Sequence, residues 1–383
     1  MDFSLSEEQV MLRNMARQFA IHTIEPTTMD DDHSEYFPTE IVTEMARLGF
    51  LGAVVPQEYS GSGLDHISYA ILIEEIARAS LAVAMSVFCG HAAVADVLAT
   101  WGNRKQKQRY LPPMSKGEIL GCHTLGELRT GTDEGNINSR AQSNDKQWII
   151  DGTTPFVING GVSHLTLVLA RIESNQGYHG IGAFLVDSNL AGFSSEDIWG
   201  KTGLRASNIA KVRLQHCQVP RESLLGNVDD GAKIAQYLLD GINFSVAASC
   251  VGASQACIEA GIKYAEQRSA FGKSISDFGM VQEMIADMTV GIETARLLIY
   301  RVGDLKNKRQ PFSQQLSMAR YLAGLTALKA AKHAIQIHGC SGYEKRSPVE
   351  RYFRDVSLAT LFGGSLLTHK LAAAQSSLRI RSA

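Results

Sequence analysis

The spacing of apolar residues changes twice along this chain of 383 residues, and that change limits its possible folds more than any single motif does. From Ser6 to about Leu111, apolar residues recur every three or four positions, as in helices that pack on one face. Between about Gly121 and Gly226, short β-branched and aromatic runs are separated by Gly, Asn and Asp turns, which indicates strands. Helical spacing then returns and lasts to the end of the chain.

We therefore predict an α+β multi-domain protein, with an all-α domain at 1–120, a β domain at 121–226 and a four-helix bundle at 227–383. Strands at this spacing, with no helices between them, favour an antiparallel barrel or sandwich. A doubly wound dinucleotide fold is disfavoured, because no Gly-x-Gly-x-x-Gly joins a strand to a helix. Candidate helices of the bundle lie near 231–268, 278–308, 313–339 and 365–379.

The composition is that of an ordinary globular protein, with 45% hydrophobic and 20% charged residues and a net charge of -2. Such a charge gives no long-range attraction to nucleic acid or to an anionic membrane. The six cysteines lack the paired spacing of a zinc site, so we expect free thiols and no metal. The N-terminus does not read as a signal peptide, and no unbroken apolar stretch approaches the roughly 18 residues of a membrane span. We expect a cytoplasmic protein without a nucleic-acid or membrane partner.

The stretch from Tyr264 to Ile275 joins a helix end to a turn that carries a cation, an aromatic ring and a glycine. Arg268 offers a planar fork of donors suited to a pyrophosphate, and Phe271 offers a ring that can lie against a flavin or adenine. Gly272 allows a turn without a Cβ. Alone, the pattern also fits a helix end with a solvated arginine and a buried phenylalanine.

Other stretches accompany this turn in a fixed order and extend through almost the whole chain. They are Phe3–Gln9, Val55–Leu64, Gly131–Asp133, Ile158–Gly161, Gly203–Ser207, Gln336–Tyr343 and Pro348–Asp355. With the turn at Arg268, they resemble the acyl-CoA dehydrogenases.

The resemblance implies FAD between the β domain and the C-terminal bundle, with its adenine end reaching a neighbouring subunit in a homodimer or homotetramer. Arg268 and Phe271 match positions that grip the pyrophosphate of a flavin bound mainly to the adjacent subunit. The other cofactor positions match the loop along the flavin edge, the strand past its ring and a glycine-rich turn; they are Leu125, Gly126, Gly131 and Thr132, then Phe156, Val157 and Ile158, then Gln336, Gly339 and Cys340.

Several cofactor positions depart from the family pattern. The family places a threonine where Gly126 stands and, where Ile158 stands, a hydroxyl residue that bonds the flavin near N5. Gly279 replaces a glutamine. We expect these changes to alter cofactor contacts and hydride acceptance.

The largest departure concerns the catalytic base. The common family glutamate is replaced by Gly363, and the position used by a minority of the family holds Ile242. Asn243 replaces the usual arginine beside it. Because a positioned carboxylate contributes about a hundred- to ten-thousand-fold to proton abstraction, αβ-dehydrogenation without one should be slow.

Three explanations stay open for the missing base. Another residue could serve, of which Asp240, Glu127 and His369 are candidates; the substrate could need no strong base; or the protein could no longer dehydrogenate. For each candidate an ordinary structural role is favoured: Asp240 as a surface acid, Glu127 as a loop anchor and His369 as an exposed helical residue.

The helix from Val246 to Cys257 resembles a branch of the family that oxidises acyl units held on carrier proteins in polyketide and nonribosomal peptide pathways. We therefore predict an FAD-dependent oxidoreductase acting on an acyl thioester of coenzyme A or an acyl carrier protein. The alternatives are a non-redox descendant that binds the thioester, and a flavin oxidase or oxygenase. Basic residues could meet an acidic carrier protein, although scattered surface charge also explains them; they are Arg104, Lys105, Lys107, Arg109, Arg379 and Arg381.

Overall fold

The structure, a computed structural model, describes residues 4–125, 137–143, 146–174 and 177–378. Helices precede and follow a sheet, in the order that the spacing of apolar residues predicts. The N-terminal helices are α1 (Glu7–Phe19), α2 (Thr28–Ser34), α3 (Thr39–Arg47), α4 (His66–Ala79), α5 (Leu81–Ala84), α6 (Ala93–Trp101) and α7 (Arg104–Ser115), with π-helical turns at Ala20–Ile24 and Met85–Ala92.

Side-chain caps fix where these helices begin. The Ser6 side chain accepts a hydrogen bond from Gln9 N at 3.2 Å, and the Gln9 side chain accepts one from Ser6 N at 3.1 Å. This reciprocal pair satisfies two backbone donors of the first turn of α1. Ser6, from which the helical spacing of apolar residues runs, is the cap of the first helix.

Eight strands form one sheet, in the order β6-β7-β3-β2-β4-β5-β8, with β1 paired to β4. Their bounds are β1 (Gly121–His123), β2 (Arg140–Ser143), β3 (Gln147–Ile158), β4 (Leu165–Ser174), β5 (Gly177–Asp187), β6 (Phe193–Asp197), β7 (Ile209–Pro220) and β8 (Leu224–Leu225). The strands pair mostly antiparallel, as predicted, although β1 and β2 both run parallel to β4. Of the predicted barrel and sandwich, the described strands exclude the barrel, because their order is open.

The two faces of the sheet belong to different cores. On β4, Leu165, Leu167 and Leu169 join the core shared with the helices, whereas Val168 and Ala170 join a second core beneath the other face. Successive side chains of a strand point to opposite faces, so both faces of this strand are apolar. The face that carries the three leucines therefore packs against the helices.

Five helices follow the sheet, and a short hairpin separates the first two. They are α8 (Gly231–Gln267), α9 (Gly279–Asn307), α10 (Ser313–His338), α11 (Pro348–Ala359) and α12 (Leu366–Ser377), with hairpin strands β9 (Ser269–Ala270) and β10 (Lys273–Ser274). The four predicted helices are present, but the sequence reading missed α11. That helix has 12 residues and begins at a proline, a favoured first residue of a helix.

Two stretches, Leu81–Trp101 and Val228–Gln267, are long and apolar enough by composition to cross a membrane, and both lie almost wholly buried within the protein. They are core elements of the fold. Cys250 and Cys257, on the second stretch, are both buried free thiols, as predicted, and Cys340 is an exposed one.

Candidate active site

The turn after α8 presents its aromatic ring to solvent. Arg268 ends the helix in an extended conformation and lies exposed, and the β9–β10 hairpin follows it. Phe271, at the tip, is 97% exposed and has a φ of 52°. An ordinary helix end would bury this phenylalanine, so that alternative interpretation of the turn is wrong. An exposed aromatic side chain with a left-handed backbone is uncommon, and such residues cluster at binding sites.

A ring stack holds the second predicted cofactor turn beside the first. Tyr264, near the end of α8, stacks on His338, the last residue of α10, with 4.3 Å between ring centroids. Gly339 follows with a φ of 58°. The predicted residues Gln336, Gly339 and Cys340 are all exposed at this helix end. The structure therefore brings two of the predicted cofactor segments to one end of the C-terminal helices.

A third predicted segment lies at the end of β3. Phe156 is 62% exposed and has a φ of 59°, at an irregularity in the pairing of β3 with β7 between Thr154 and Val157. Val157 and Ile158 are buried. The irregularity turns one aromatic side chain outward from an otherwise buried strand end.

A π-helical turn that the sequence did not predict supports this strand end. Asn159 Nδ2 donates to Ser86 O at 2.8 Å, within the π-helical Met85–Ala92 segment, and to Gly121 O at 3.3 Å. A Cβ on Gly90 would lie 2.5 Å from Asn159 Nδ2 and 3.1 Å from Ile158 Cγ2. Only a glycine allows the strand end to approach this closely, and π-helical turns occur often at functional sites.

Leu125 starts the loop predicted to pass the flavin edge. Its side chain is buried, and its backbone N donates to His123 Nδ1 at 3.4 Å. Burial lowers the pKa of His123 to about 4, so the ring is neutral and can accept. Four predicted residues, Gly126, Gly131, Thr132 and the candidate base Glu127, lie outside the described residues.

The two family positions for a catalytic base meet in space. Gly363 has a φ of 72°, and a Cβ there would lie 2.7 Å from Asn243 Oδ1 and 3.4 Å from Ile242 Cγ2. Gly363 and Asn243, which the resemblance matches to the family glutamate and arginine, therefore face each other. Neither position supplies a group that could remove a proton.

The two described candidates for a substitute base differ from their predicted settings. Asp240 is half-buried rather than on the surface, and it accepts a hydrogen bond from Gln236 Nε2 at 2.8 Å. Burial raises the pKa of its carboxyl. His369 is buried rather than exposed, and its Nε2 has no hydrogen-bond partner among the described residues. Burial lowers the pKa of His369 to about 4, which keeps its imidazole neutral.

Sequence reasoning missed Arg320, which lies under the same turn. The Arg320 guanidinium is fully buried, and its Nη2 donates to Ala359 O at 3.1 Å and to Phe362 O at 2.9 Å. It shares the inward face of α10 with Leu316 and Ala323. An arginine at the spacing of buried alanines was the signal that could have found it.

The remaining predicted positions are peripheral. Gly279 begins α9, and a Cβ there would meet no atom within 4 Å. On α7, Arg104 and Lys105 are exposed, whereas Arg109 Nη2 pairs with Asp187 Oδ2 at 2.8 Å. Arg379 and Arg381 lie outside the described residues. Within the described ranges, no group of three His, Cys, Asp or Glu residues could hold a metal ion.

Comparisons with known proteins show the family to which the chain belongs. Family models of the N-terminal, middle and C-terminal domains of acyl-CoA dehydrogenases match residues 6–118, 122–217 and 229–378. The short-chain specific acyl-CoA dehydrogenase of Mus musculus mitochondria is 34% identical over 375 residues, which cover 98% of this chain and 91% of that protein.

Solved structures share the fold over the whole chain. A glutaryl-coenzyme A dehydrogenase in complex with glutaryl-CoA has a TM-score of 0.95 and 35% identity, covering 100% of this chain and 98% of that one. The prolyl acyl carrier protein oxidase AnaB has a TM-score of 0.92 and 24% identity, covering 98% and 100%, and this likeness concerns the fold alone. The chain therefore belongs to the acyl-CoA dehydrogenase family of FAD-dependent oxidoreductases.

Proposed function

We propose that this protein binds FAD through the residues at the ends of α8, α10 and β3, and that it oxidises an acyl thioester presented by an acyl carrier protein. The observation that carries the proposal is a pair of exposed phenylalanines, Phe156 and Phe271, each with a left-handed backbone. Each such residue costs about 1–3 kcal/mol, which a ligand contact would offset.

The residues present fit FAD at both ends. Towards the FAD of a neighbouring subunit, the exposed Phe271 offers a ring and the exposed Arg268 offers a guanidinium that suits a pyrophosphate. Phe156 offers a second ring at the sheet, beside the buried Ile158. When bound, FAD supplies the acceptor for a hydride.

The substituted base positions define the class of carbon that is oxidised. With Gly363 and Ile242 facing each other, no carboxylate stands at either family base position to take an α proton. Oxidation of a hydroxyl- or amino-bearing carbon places a different demand on the site, because the proton leaves from oxygen or nitrogen and can pass to water. We therefore propose such a carbon as the oxidised centre.

A basic helix start supports a carrier protein as the partner. Arg104 and Lys105 occupy the first turn of α7, where the helix dipole disfavours cations, and that turn contains no acidic residue. Carrier proteins are acidic, so these cations would steer one towards the enzyme.

Apolar side chains exposed on the C-terminal helices support a homodimer or homotetramer, which we place in the cytoplasm. They lie on α9, α10 and α12 and include Val290, Leu297, Met318, Leu325, Leu367 and Leu371. Apolar patches of this kind mark contacts between subunits.

One observation favours a second candidate function. Gly363, Ile242 and Asn243 together remove every charged group that the family places at the base. A descendant that binds the thioester without redox chemistry would show the same three substitutions.

An absorbance spectrum separates the two functions. The purified protein is reconstituted with FAD and its visible spectrum is followed under anaerobic conditions as acyl-CoA and acyl-carrier thioesters with and without a hydroxyl or amino group are added. Bleaching by a hydroxyl- or amino-bearing acyl carrier thioester supports the proposal. Binding of FAD without bleaching by any thioester favours the non-redox descendant, and failure to bind FAD overturns the oxidoreductase.

A pair of variants tests the cofactor contacts. Arg268→Met should weaken FAD binding about 10- to 100-fold, because a charge-assisted contact to a phosphate is worth about 1.5–3 kcal/mol. Lys263→Met removes an exposed cation from the same helix and serves as the matched control. Equal FAD affinity in both variants would contradict the assignment of Arg268.

A further inference from the structure

A cavity of about 420 Å³ lies where the connection between α2 and α3 meets the connection between β6 and β7. Its wall includes three aromatic side chains, those of Tyr36, Phe37 and Trp199. Ligand sites in proteins are typically clefts of about 300–1,000 Å³ lined by apolar and aromatic side chains with a few polar groups. All the lining residues fall within 34–209, so the cavity is separate from the turn at Gly363.

A strained glutamate holds the loop that carries Trp199. Glu35 has a φ of 55° and a buried side chain. Its Oε1 accepts a hydrogen bond from Gly200 N at 2.9 Å, and its Oε2 accepts one from Lys201 Nζ at 2.8 Å. Residues strained in this way cluster at binding sites. The backbone beside Trp199 is therefore fixed, while the Trp199 side chain stays 66% exposed.

The two carboxylates that line the cavity differ in their partners. Glu35 pairs with Lys201 and also with Arg205 Nη2 at 3.1 Å, so its charge is compensated within the protein. Asp197 Oδ1 accepts from the neutral amide of Asn208 at 2.9 Å, and Asp197 forms no ion pair among the described residues. The cavity therefore keeps one negative charge without a counterion in the part of the chain that the structure describes.

The aromatic side chains of the wall suit a cation. Lys201 Nζ already lies 5.9 Å from the centroid of the Trp199 ring. The hydroxyl of Tyr36 donates to the Glu40 carboxylate, at 3.1 Å and 3.0 Å from its two oxygens, which fixes the second ring. Aromatic faces attract cations, and groups of such rings typically recognise quaternary ammonium ligands. A primary ammonium is strongly hydrated and needs acceptors for three N–H groups, which rings do not supply.

We propose that this cavity binds a small organic cation with an alkylated nitrogen, whose charge lies against the rings of Trp199 and Tyr36 and beside Asp197. This ligand is additional to FAD and the thioester of the proposed function, and its binding does not depend on either. Ile209, which lines the cavity, pairs in the sheet with Ile158 at the end of β3. The cation therefore occupies a second site next to the strand end that is predicted to pass the flavin.

Matched probes test the charge on the native, FAD-bound protein. Choline is compared with the neutral alcohol in which a quaternary carbon replaces its nitrogen, so the two molecules have nearly the same shape. Each gives one proton NMR singlet from nine equivalent methyl protons, and the broadening of that singlet on addition of protein reports binding. We expect choline to bind about 10-fold or more tightly than the alcohol. Ethanolamine, which has the same charge without the methyl groups, should compete with choline only weakly.

Variants locate the contact. Trp199→Leu should lower the affinity for choline about 5- to 10-fold, because it removes the most exposed ring. Asp197→Asn keeps an oxygen acceptor for Asn208 and should lower that affinity about 2- to 5-fold, with no change for the neutral alcohol. Glu196→Gln removes a neighbouring exposed acid that is not among the lining residues, and it should leave both affinities unchanged.

Several results would overturn the proposal. They are the absence of choline binding, equal affinity of the native protein for choline and the neutral alcohol, and undiminished affinity for choline in both Trp199→Leu and Asp197→Asn. Competition by ethanolamine as strong as that of choline itself would overturn the assignment to an alkylated nitrogen. None of these results bears on the proposed function, which the flavin spectrum tests separately.

Discussion

The arginines at the two ends of α11 differ in whether a carboxylate lies beside them. Along its first turns, Arg354 meets Glu350 at 2.7 Å and Asp32 at 2.7 Å, and Arg351 faces Asp355. At its last turn, Arg320 meets only carbonyl oxygens. The ion pair of Arg354 with Asp32 joins α11 to the N-terminal helices. Because the arginines at this end have carboxylate partners, they need no ligand. The uncompensated charge lies under the turn that precedes Gly363.

The strongest test of this comparison removes each buried arginine in turn. Arg351→Met leaves Asp355 buried without its cation and should lower the free energy of unfolding by about 3–5 kcal/mol. Arg320→Met leaves no carboxylate behind and should cost only about 1–2 kcal/mol, for two lost hydrogen bonds. Urea unfolding of both variants measures the difference. Equal losses would mean that the two charges are compensated alike.

The pH dependence of stability tests the end of α11 where Asp355 pairs with Arg351. Burial raises the pKa of Asp355 from 3.8 to about 6, against the opposing effect of Arg351. The folded state therefore binds this proton more tightly than the unfolded state, so the contribution of Asp355 to stability is greatest below about pH 4 and declines as pH rises through 6.

We expect the stability of the native protein relative to Asp355→Asn to fall by about 2 kcal/mol between pH 4 and 7. The asparagine can still accept from Leu204 N, which lies 2.6 Å from Asp355 Oδ1 in the native protein. Unfolding curves of both proteins at several pH values supply the measurement. A difference that does not change with pH would show that Asp355 does not titrate in this range.

A pair of glycine substitutions tests the turn after α11, where Gly363 lies against Asn243. Gly272 and Gly363 both have left-handed backbones, with φ of 78° and 72°, but a Cβ on Gly272 would meet no atom within 4 Å. Gly272→Ala should cost about 1–2 kcal/mol from backbone strain alone. Gly363→Ala should cost about 1 kcal/mol more, from overpacking against Asn243.

The double variant Asn243→Ala, Gly363→Ala separates strain from contact. Relative to Asn243→Ala, its loss of stability should fall to that of Gly272→Ala. An unchanged loss would place the obstruction elsewhere, and Gly363 would then not face Asn243 in solution.

The smallest expected effect concerns Phe156, whose left-handed backbone is strained. Phe156→Gly removes strain of about 1–2 kcal/mol and adds about 0.5–1 kcal/mol of unfolded-state entropy, so the protein without FAD should gain about 0.5–1 kcal/mol. The variant should bind FAD more weakly. Thermal unfolding with and without FAD checks both signs, and a loss of stability without FAD would contradict the account.

The sequence predicted the elements whose spacing repeats. The β-branched runs at 148–150, 165–169 and 182–186 lie in β3, β4 and β5, because alternation over several residues outweighs local exceptions. Helix α11 and the π-helical turn at Met85–Ala92 escaped prediction. A turn of π-helix has no spacing of its own in so short a segment, and the contact from Asn159 to Ser86 O comes from a distant part of the chain.

The site shows the same limit. Motifs predict Arg268 and Phe271 as cofactor residues, which stays a prediction. The contact of Gly363 with Asn243 joins residues 120 positions apart, and no local pattern encodes it. The burial of His369 and Arg320 likewise depends on packing between α10 and α12. The resemblance therefore predicts which residues differ from the family pattern, and the structure shows that Gly363 and Asn243 face one another.

The stack of Tyr264 on His338 depends on the lengths of α8 and α10. It aligns the end of α8, 37 residues long, with the end of α10, 26 residues long. One inserted residue in either helix would advance its end by about 1.5 Å and rotate it by about 100°. The rings of Tyr264 and His338 would separate, and the hairpin that follows α8 would shift relative to the turn at Gly339. Insertions and deletions within these two helices should thus be excluded even at positions where every substitution is tolerated.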